Sequence, residues 1–220
     1  MAEVFDTAED VVESFDGTET YDEAELALRD FPSKEVAVTN SMLLAGAGGG
    51  GEFALIEALD LDAPAASFDF DDIPQTFAHL KLRAVVRGAD DSGGINVLLR
   101  CNGEAGTSYD SAFILTDGAA VTTGNEAAGD DLHIASAPDS TYPAGEAAFV
   151  EIDLYFYADT SFEKQIRAVG GTHNNVFIGL RQILGVFRDT DPITRVTLTP
   201  NTDNWAAGSK ATLYGIGVAL

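Results

Sequence analysis

The apolar positions along this chain follow two periods, and the change falls at a run of glycines. Before it the spacing is helical. Val4, Ala8, Val11, Val12 and Phe15 form one stripe, opened by a Thr7/Asp10 capping pair and closed by Gly17. Tyr21, Ala24, Leu28 and Phe31 form a second, stopped by Pro32. Both stripes are thin, and helices this short draw their stability from packing on something larger. Gly46-Ala47-Gly48-Gly49-Gly50-Gly51 has little to pack and reads as a hinge.

From residue 52 the period is two. Phe53 to Leu59 predicts a first strand and Ala66 to Phe70 a second. Leu80 to Arg87 alternates apolar and basic residues before the turn-rich Asp90-Asp91-Ser92-Gly93-Gly94. Ile95 to Arg100 follows, ending in Asn102-Gly103, a turn pair that predicts a tight hairpin. Phe113 to Leu115 is short. Ala148 to Tyr157 alternates again, which assigns Val150, Ile152, Leu154 and Phe156 to one face and Glu151, Asp153, Tyr155 and Tyr157 to the other. Val176 to Phe187 is ambiguous, Thr194 to Thr199 alternates, and Ala211 to Val218 predicts the last strand.

Half-buried strands at this spacing imply antiparallel sheets with one wet face. The expected architecture is an all-β, jelly-roll-like antiparallel β-sandwich over 52–220. The acidic N-terminal arm and Gly-rich hinge occupy 1–51.

Charge changes the picture of what the chain can touch. It has 36 acidic and 12 basic residues, a net of −24. Residues 1–50 hold 12 acids and 2 bases, a net of −10, so the arm is more than twice as negative per residue as the rest. Phosphate backbones need clustered Lys and Arg, so no nucleic-acid partner is expected. An anionic membrane surface is disfavoured on the same ground. No apolar run is long enough to span a bilayer, and the acidic start lacks the basic region of a signal peptide. Lysines are confined to Lys34, Lys81, Lys164 and Lys210. Such a surface suits high salt, where self-repulsion is screened. The arm is a solvated face or a docking segment for a basic partner.

Candidate chemistry is sparse. Cys101 is the single cysteine, so neither an internal disulfide nor a Cys-based zinc site can form. It reads as a small packed residue, with Arg100 on the opposite face of its strand. His79 lies in a strand context, and His133 and His173 read as loop residues. No nucleophile elbow and no phosphate-binding loop occurs. Acidic neighbours (Asp69, Asp71 and Asp72; Asp90 and Asp91; Asp130 and Asp131; Asp189 and Asp191) are expected by chance in so acidic a chain. A loop calcium needs only oxygen ligands, but no EF-hand pattern or other ligand set appears. No cofactor, metal site or catalytic residue is expected.

Four segments carry a resemblance. Phe70-Asp71-Asp72-Ile73-Pro74-Gln75-Thr76-Phe77-Ala78-His79-Leu80-Lys81-Leu82-Arg83 is similar to the "F-x-x-I-P-x-T-Y-x-x-L-x-L-R" segment of tailed-phage virion proteins. Leu98 to Glu104 followed by Tyr109 resembles their "R-F-N-G-D … Y" segment. Ile193 to Leu198 and Trp205 to Ile216 resemble the terminal "I-T-x-I-x-L … F-x-x-G-S-x-x-x-L-Y-G-I" pattern. Phe149 to Lys164 sits where that family has a strand ending near "Y-A … K". The segments fall in the family's order and cover most of 52–220; the arm lies outside. The chain departs at Glu104, where the family has Asp, at Cys101, where an aromatic is usual, and at Trp205, which replaces Phe.

The resemblance implies a jelly-roll-like sandwich on the outside of a tailed virus, in a tail fibre, a minor tail protein or a capsid decoration. The motif residues then read as structural. Asn102 and Gly103 supply positive-φ turn positions, Glu104 accepts loop N–H groups, and Tyr109 covers that loop with its ring. Gly208 and Ser209 turn the chain into the last strand, and Tyr214 packs on a sheet face. The expected function is a non-enzymatic decoration (cement) protein at the particle surface. It docks by its arm on the major capsid protein or a tail protein of the same virion, as a homo-oligomer that a trimer would satisfy. The alternative is a tail component with lectin-like receptor binding, for which Tyr142, Trp205 and Tyr109 are the candidate sugar-stacking aromatics.

Overall fold

The computed structural model describes residues 53–91, 93–173 and 178–217. The arm and hinge assigned to 1–51 lie outside the described residues, including the helical stripes and the glycine run.

Among the described residues twelve strands form two antiparallel sheets, and there is no helix. They are β1 (Phe53–Asp60), β2 (Phe68–Phe70), β3 (His79–Val86), β4 (Ile95–Cys101), β5 (Tyr109–Thr116) and β6 (Val121–Gly129). There follow β7 (Leu132–Ala137), β8 (Ala148–Tyr155), β9 (Lys164–His173), β10 (Ile178–Phe187), β11 (Val196–Pro200) and β12 (Lys210–Ile216). The large sheet runs β1-β12-β3-β8-β9-β10-β5-β6 and the small one β2-β11-β4-β7.

The pairing is nested. β4 pairs with β7, β3 with β8, β2 with β11 and β1 with β12, all antiparallel. A long hairpin wound over itself in this way is a jelly roll, with four strands in each sheet. Two inserted hairpins break the symmetry. β5–β6 lies between β4 and β7, and β9–β10 lies between β8 and β11. They join through the β10–β5 pair and extend the large sheet beyond β8.

The core lies between the sheets. Leu80, Leu82, Ile152 and Leu154 from the large sheet meet Phe68, Leu99, Val196 and Leu198 from the small one, all within 1 % of fully buried. β7 packs across β8, β9 and β10. It approaches β9 so closely that a Cβ on Gly170 would lie 2.7 Å from the Ile134 carbonyl oxygen and collide with the Ala135 side chain. Trp205 is fully buried, and its indole N–H donates to the Leu198 carbonyl at 3.1 Å.

Three sequence readings need correction. Phe156 and Tyr157 do not continue the alternation of β8. Phe156 adopts φ 47°, the strand ends, and the two rings exchange sides: Phe156 is exposed and Tyr157 is in the core. His133 and His173 lie in β7 and β9 rather than in loops. Asn102-Gly103 does not close a hairpin between paired strands. It turns the chain out of the small sheet toward β5 in the large one.

Candidate interaction surface

Six of the seven residues singled out in the sequence lie at two corners of the sandwich, and the seventh, Tyr214, lies within β12. Asn102 and Gly103 have φ of 54° and 71°, and the Glu104 N–H closes the turn on the Cys101 carbonyl at 3.0 Å. The Asn102 side chain clamps the strand-entry loop of β11. Its Oδ1 accepts the N–H groups of Thr194 and Arg195 at 2.9 and 3.3 Å, and its Nδ2 donates to the Pro192 carbonyl at 3.1 Å. Glu104 is exposed and contributes its backbone, its carbonyl lying 3.4 Å from the Tyr109 hydroxyl. Tyr109 is buried, stacks on Phe187 with centroids 5.1 Å apart, and accepts the Cys101 N–H at 2.8 Å. Burial pushes the Cys101 thiol up to about 12, so it is held as a packed thiol.

A second corner leads into β12. Gly208 adopts φ 84° and donates to the Leu61 carbonyl at 2.7 Å. The Ser209 hydroxyl accepts the Arg87 N–H at 3.2 Å and lies 3.4 Å from the Arg87 carbonyl. Arg87 in turn donates to the carbonyls of Tyr142, Pro143 and Glu146 at 2.6, 3.0 and 2.8 Å. Tyr214 lies on the outer face of β12, edge-on to Phe53 at 5.9 Å. The two corners stand apart, and no single cleft collects the seven residues.

Several of the neighbouring acids are spent on loops and ion pairs. Asp69 accepts from Arg195 at 2.6 Å, from Thr197 at 2.7 Å and from Ser67 at 2.5 Å. Burial alone would raise its pKa, but these bonds outweigh burial and hold it below the usual range. Asp71 also faces Arg195, at 3.1 Å. Asp131 meets Arg100 at 3.3 Å, and Asp189 caps the Asp191 N–H at 2.9 Å. Asp203 accepts the Asp90 N–H at 2.7 Å. Among the described residues no group of three or more His, Cys, Asp or Glu side chains is placed to hold a metal ion. Of the three sugar-stacking candidates, Trp205 and Tyr109 belong to the core, which leaves Tyr142, half-buried, as the one that reaches the surface.

The sequence did not single out the feature most open to a partner, the outer face of the large sheet. Register aligns its outward residues in rows. One row crosses Val85, Phe149, Gly171, Leu180, Thr116 and Val121 on β3, β8, β9, β10, β5 and β6. The Phe149 ring covers Gly171, where any Cβ would collide with it. The next row crosses Arg83, Glu151, Val169, Gln182, Ile114 and Thr123. Both halves of this face expose apolar side chains, Val85 and Phe149 among them on the jelly-roll half, but that half also carries a network of ion pairs. On the jelly-roll half, Lys81 bonds Glu151 and Asp153 at 2.9 and 2.7 Å, and Arg83 bonds Glu151 at 3.1 Å. Burial pulls the Lys81 pKa down, yet its bonds to both carboxylates outweigh burial and keep its ammonium above the ordinary range. On the inserted half, Ile114, Val121, Ile178, Leu180 and Leu184 are all at least 42 % exposed. A shallow trough of about 480 Å³ lies on the jelly-roll half, among Arg83, Val85, Phe149, Glu151, Val169, Lys210 and Thr212. Apolar residues gathered on one exposed sheet face make it a candidate contact surface.

No family model matches this chain, and neither a curated protein nor a solved structure matches it.

Proposed function

We propose that this chain is a non-enzymatic structural component of a tailed virus particle. Within that class the reading favours a head decoration protein, seated on neighbouring subunits by its acidic arm and by a sheet face. The observation that carries the proposal is where the resembling segments fall. Phe70 and Ile73 are core residues, Asn102 to Tyr109 build one corner of the sandwich, and Trp205 to Ser209 build the other. Asn102, Gly103 and Gly208 hold positive φ there, and Phe70, Ile73, Tyr109 and Trp205 are core side chains, which supports reading the motifs as fold-forming rather than catalytic.

The mechanism is mechanical. Apolar area on the outer face leaves water when a neighbouring subunit covers it, at about 25 cal/mol per Å². The arm adds attraction to a basic patch that weakens with salt. The particle surface is the expected location, and the major capsid protein or a tail protein of the same virion is the expected neighbour.

Gradient-purified particles test this. The chain should co-sediment with them, and rising salt should release it as arm attraction is screened. Absence from particles rejects the proposal, and attachment that strengthens with salt rejects the charge-based docking.

A further inference from the structure

Among the described residues the two sheets end in four strands, β1, β6, β2 and β7. Three of them are blunted. β1 carries Glu57 and Asp60 and a bulge between Leu55 and Glu57. β2 has three residues. β7 is largely buried against the large sheet. Charge, irregularity, shortness and cover are the usual protections of an edge.

β6 has none of these along most of its length. It runs nine residues, Val-Thr-Thr-Gly-Asn-Glu-Ala-Ala-Gly, and eight of them are exposed. It pairs regularly with β5 from Val121 to Glu126, and the irregularity falls only beyond, where Ala128 takes φ 57°. No proline, lysine or arginine occurs anywhere from Tyr109 to Ala137. A sheet edge of this kind presents a row of unpaired N–H and C=O groups.

The strand is also held in place for pairing. The Arg181 guanidinium lies over the Phe113 ring at 4.0 Å, and that ring lies over Gly124, where a Cβ would come within 2.7 Å of it. Arg181 also reaches Glu126, Nη2 to Oε1, at 3.1 Å. This stack fastens the middle of β6 to the sheet without covering its outer edge.

We infer that β6 is an edge-pairing site for a second copy of this chain, the two β6 strands meeting antiparallel about a two-fold axis. The charge pattern selects this occupant. In a chain of net −24, two copies repel wherever their acids face each other. β6 carries one acid, Glu126, and Arg181 already counters it, so two β6 strands meet without opposed like charges. Pairing is isologous and closes, giving a dimer whose large sheets form one continuous surface. It also sets the rows ending at Val121 and Thr123 side by side with their copies. The inference stands whether or not the virion reading holds.

The test is sedimentation velocity of the full chain over a range of concentrations, at low and high salt. The wild-type chain should give a concentration-dependent species of twice the chain mass, favoured by salt. The double variant T123K/N125K should be monomeric with an unchanged far-UV spectrum, because it sets lysines opposite lysines across the axis. T123E/N125E should behave alike, and an equimolar mixture of the two should regain the dimer. Leu184→Glu, on the sheet face away from the edge, should leave the dimer intact. Amides of residues 121–126 should gain hydrogen-exchange protection on dimerisation. A wild-type monomer at every concentration would overturn the inference. So would a dimer that survives T123K/N125K, one lost with Leu184→Glu alone, or a mixture that stays monomeric.

Discussion

The phenolic oxygen of Tyr109 lies 2.8 Å from the backbone nitrogen of Cys101, and this bond ties the end of β4 to the start of β5. The two strands belong to different sheets, so the contact fixes a sheet-to-sheet corner rather than a hairpin. Tyr109→Phe keeps the ring on Phe187 but leaves the buried Cys101 N–H without its acceptor. Such an orphan costs about 1–3 kcal/mol. Urea unfolding of the variant should show a lower midpoint with an unchanged slope.

Gly170 and Gly171 are neighbours with opposite obligations. A methyl at Gly170 meets the backbone of Ile134 in the facing sheet, which cannot move without separating the sheets. A methyl at Gly171 meets the ring of Phe149, which is half-exposed and free to swing outward. Gly170→Ala should therefore destabilise by about 1–3 kcal/mol, the range for overpacked cores. Gly171→Ala should cost distinctly less. Paired denaturation curves check the order, and an equal loss at both sites would contradict it.

The Cys101 thiol, fully buried, is pushed up by burial to about 12 from an ordinary 9.0. A raised acid binds its proton more tightly in the folded state, so its contribution is present below about pH 9 and is lost as pH climbs toward about 12. Burial pushes the Tyr109 hydroxyl the same way. Alkaline unfolding should begin in that window, and native protein at pH 8 should resist thiol reagents that react at once in denaturant. Fast labelling of the native chain would contradict this.

Asp69 titrates with the opposite sign. Its lowered pKa means the folded state favours the carboxylate. That contribution is present above about pH 3.8 and fades as pH falls through the folded value. Asp69→Asn should lower stability at pH 7, and the gap to wild type should close in strong acid. A gap that persists unchanged at low pH would show that Asp69 acts by packing rather than by charge.

Strands buried on one face were legible because their side chains alternate. β3, β8 and β12 carry Leu82, Ile152 and Leu213 inward and Arg83, Glu151 and Thr212 outward, and the period of two follows directly. β6, β7 and β9 gave no such signal. β6 buries neither face, so its composition follows no core. β9 faces β7 at such close range that its inner positions are Ala168, Gly170 and Thr172, which hydropathy does not mark. Its Lys164 is buried among the carbonyls of Asp159, Phe162 and Thr190, a reversal of the usual rule for lysine. Asn102-Gly103 was readable as a turn but not as a sheet-to-sheet corner, because the pair favours positive φ without fixing which strand the next segment joins. The outer face was not, because an exposed leucine on a strand looks the same as a buried one until register shows which rows it joins.

The most direct test of the structural-protein reading is gold-labelled antibody against this chain on purified particles, viewed by electron cryomicroscopy. The account predicts label spread evenly over the head. Label confined to the tail would contradict the decoration reading, and bare particles would contradict the virion reading altogether.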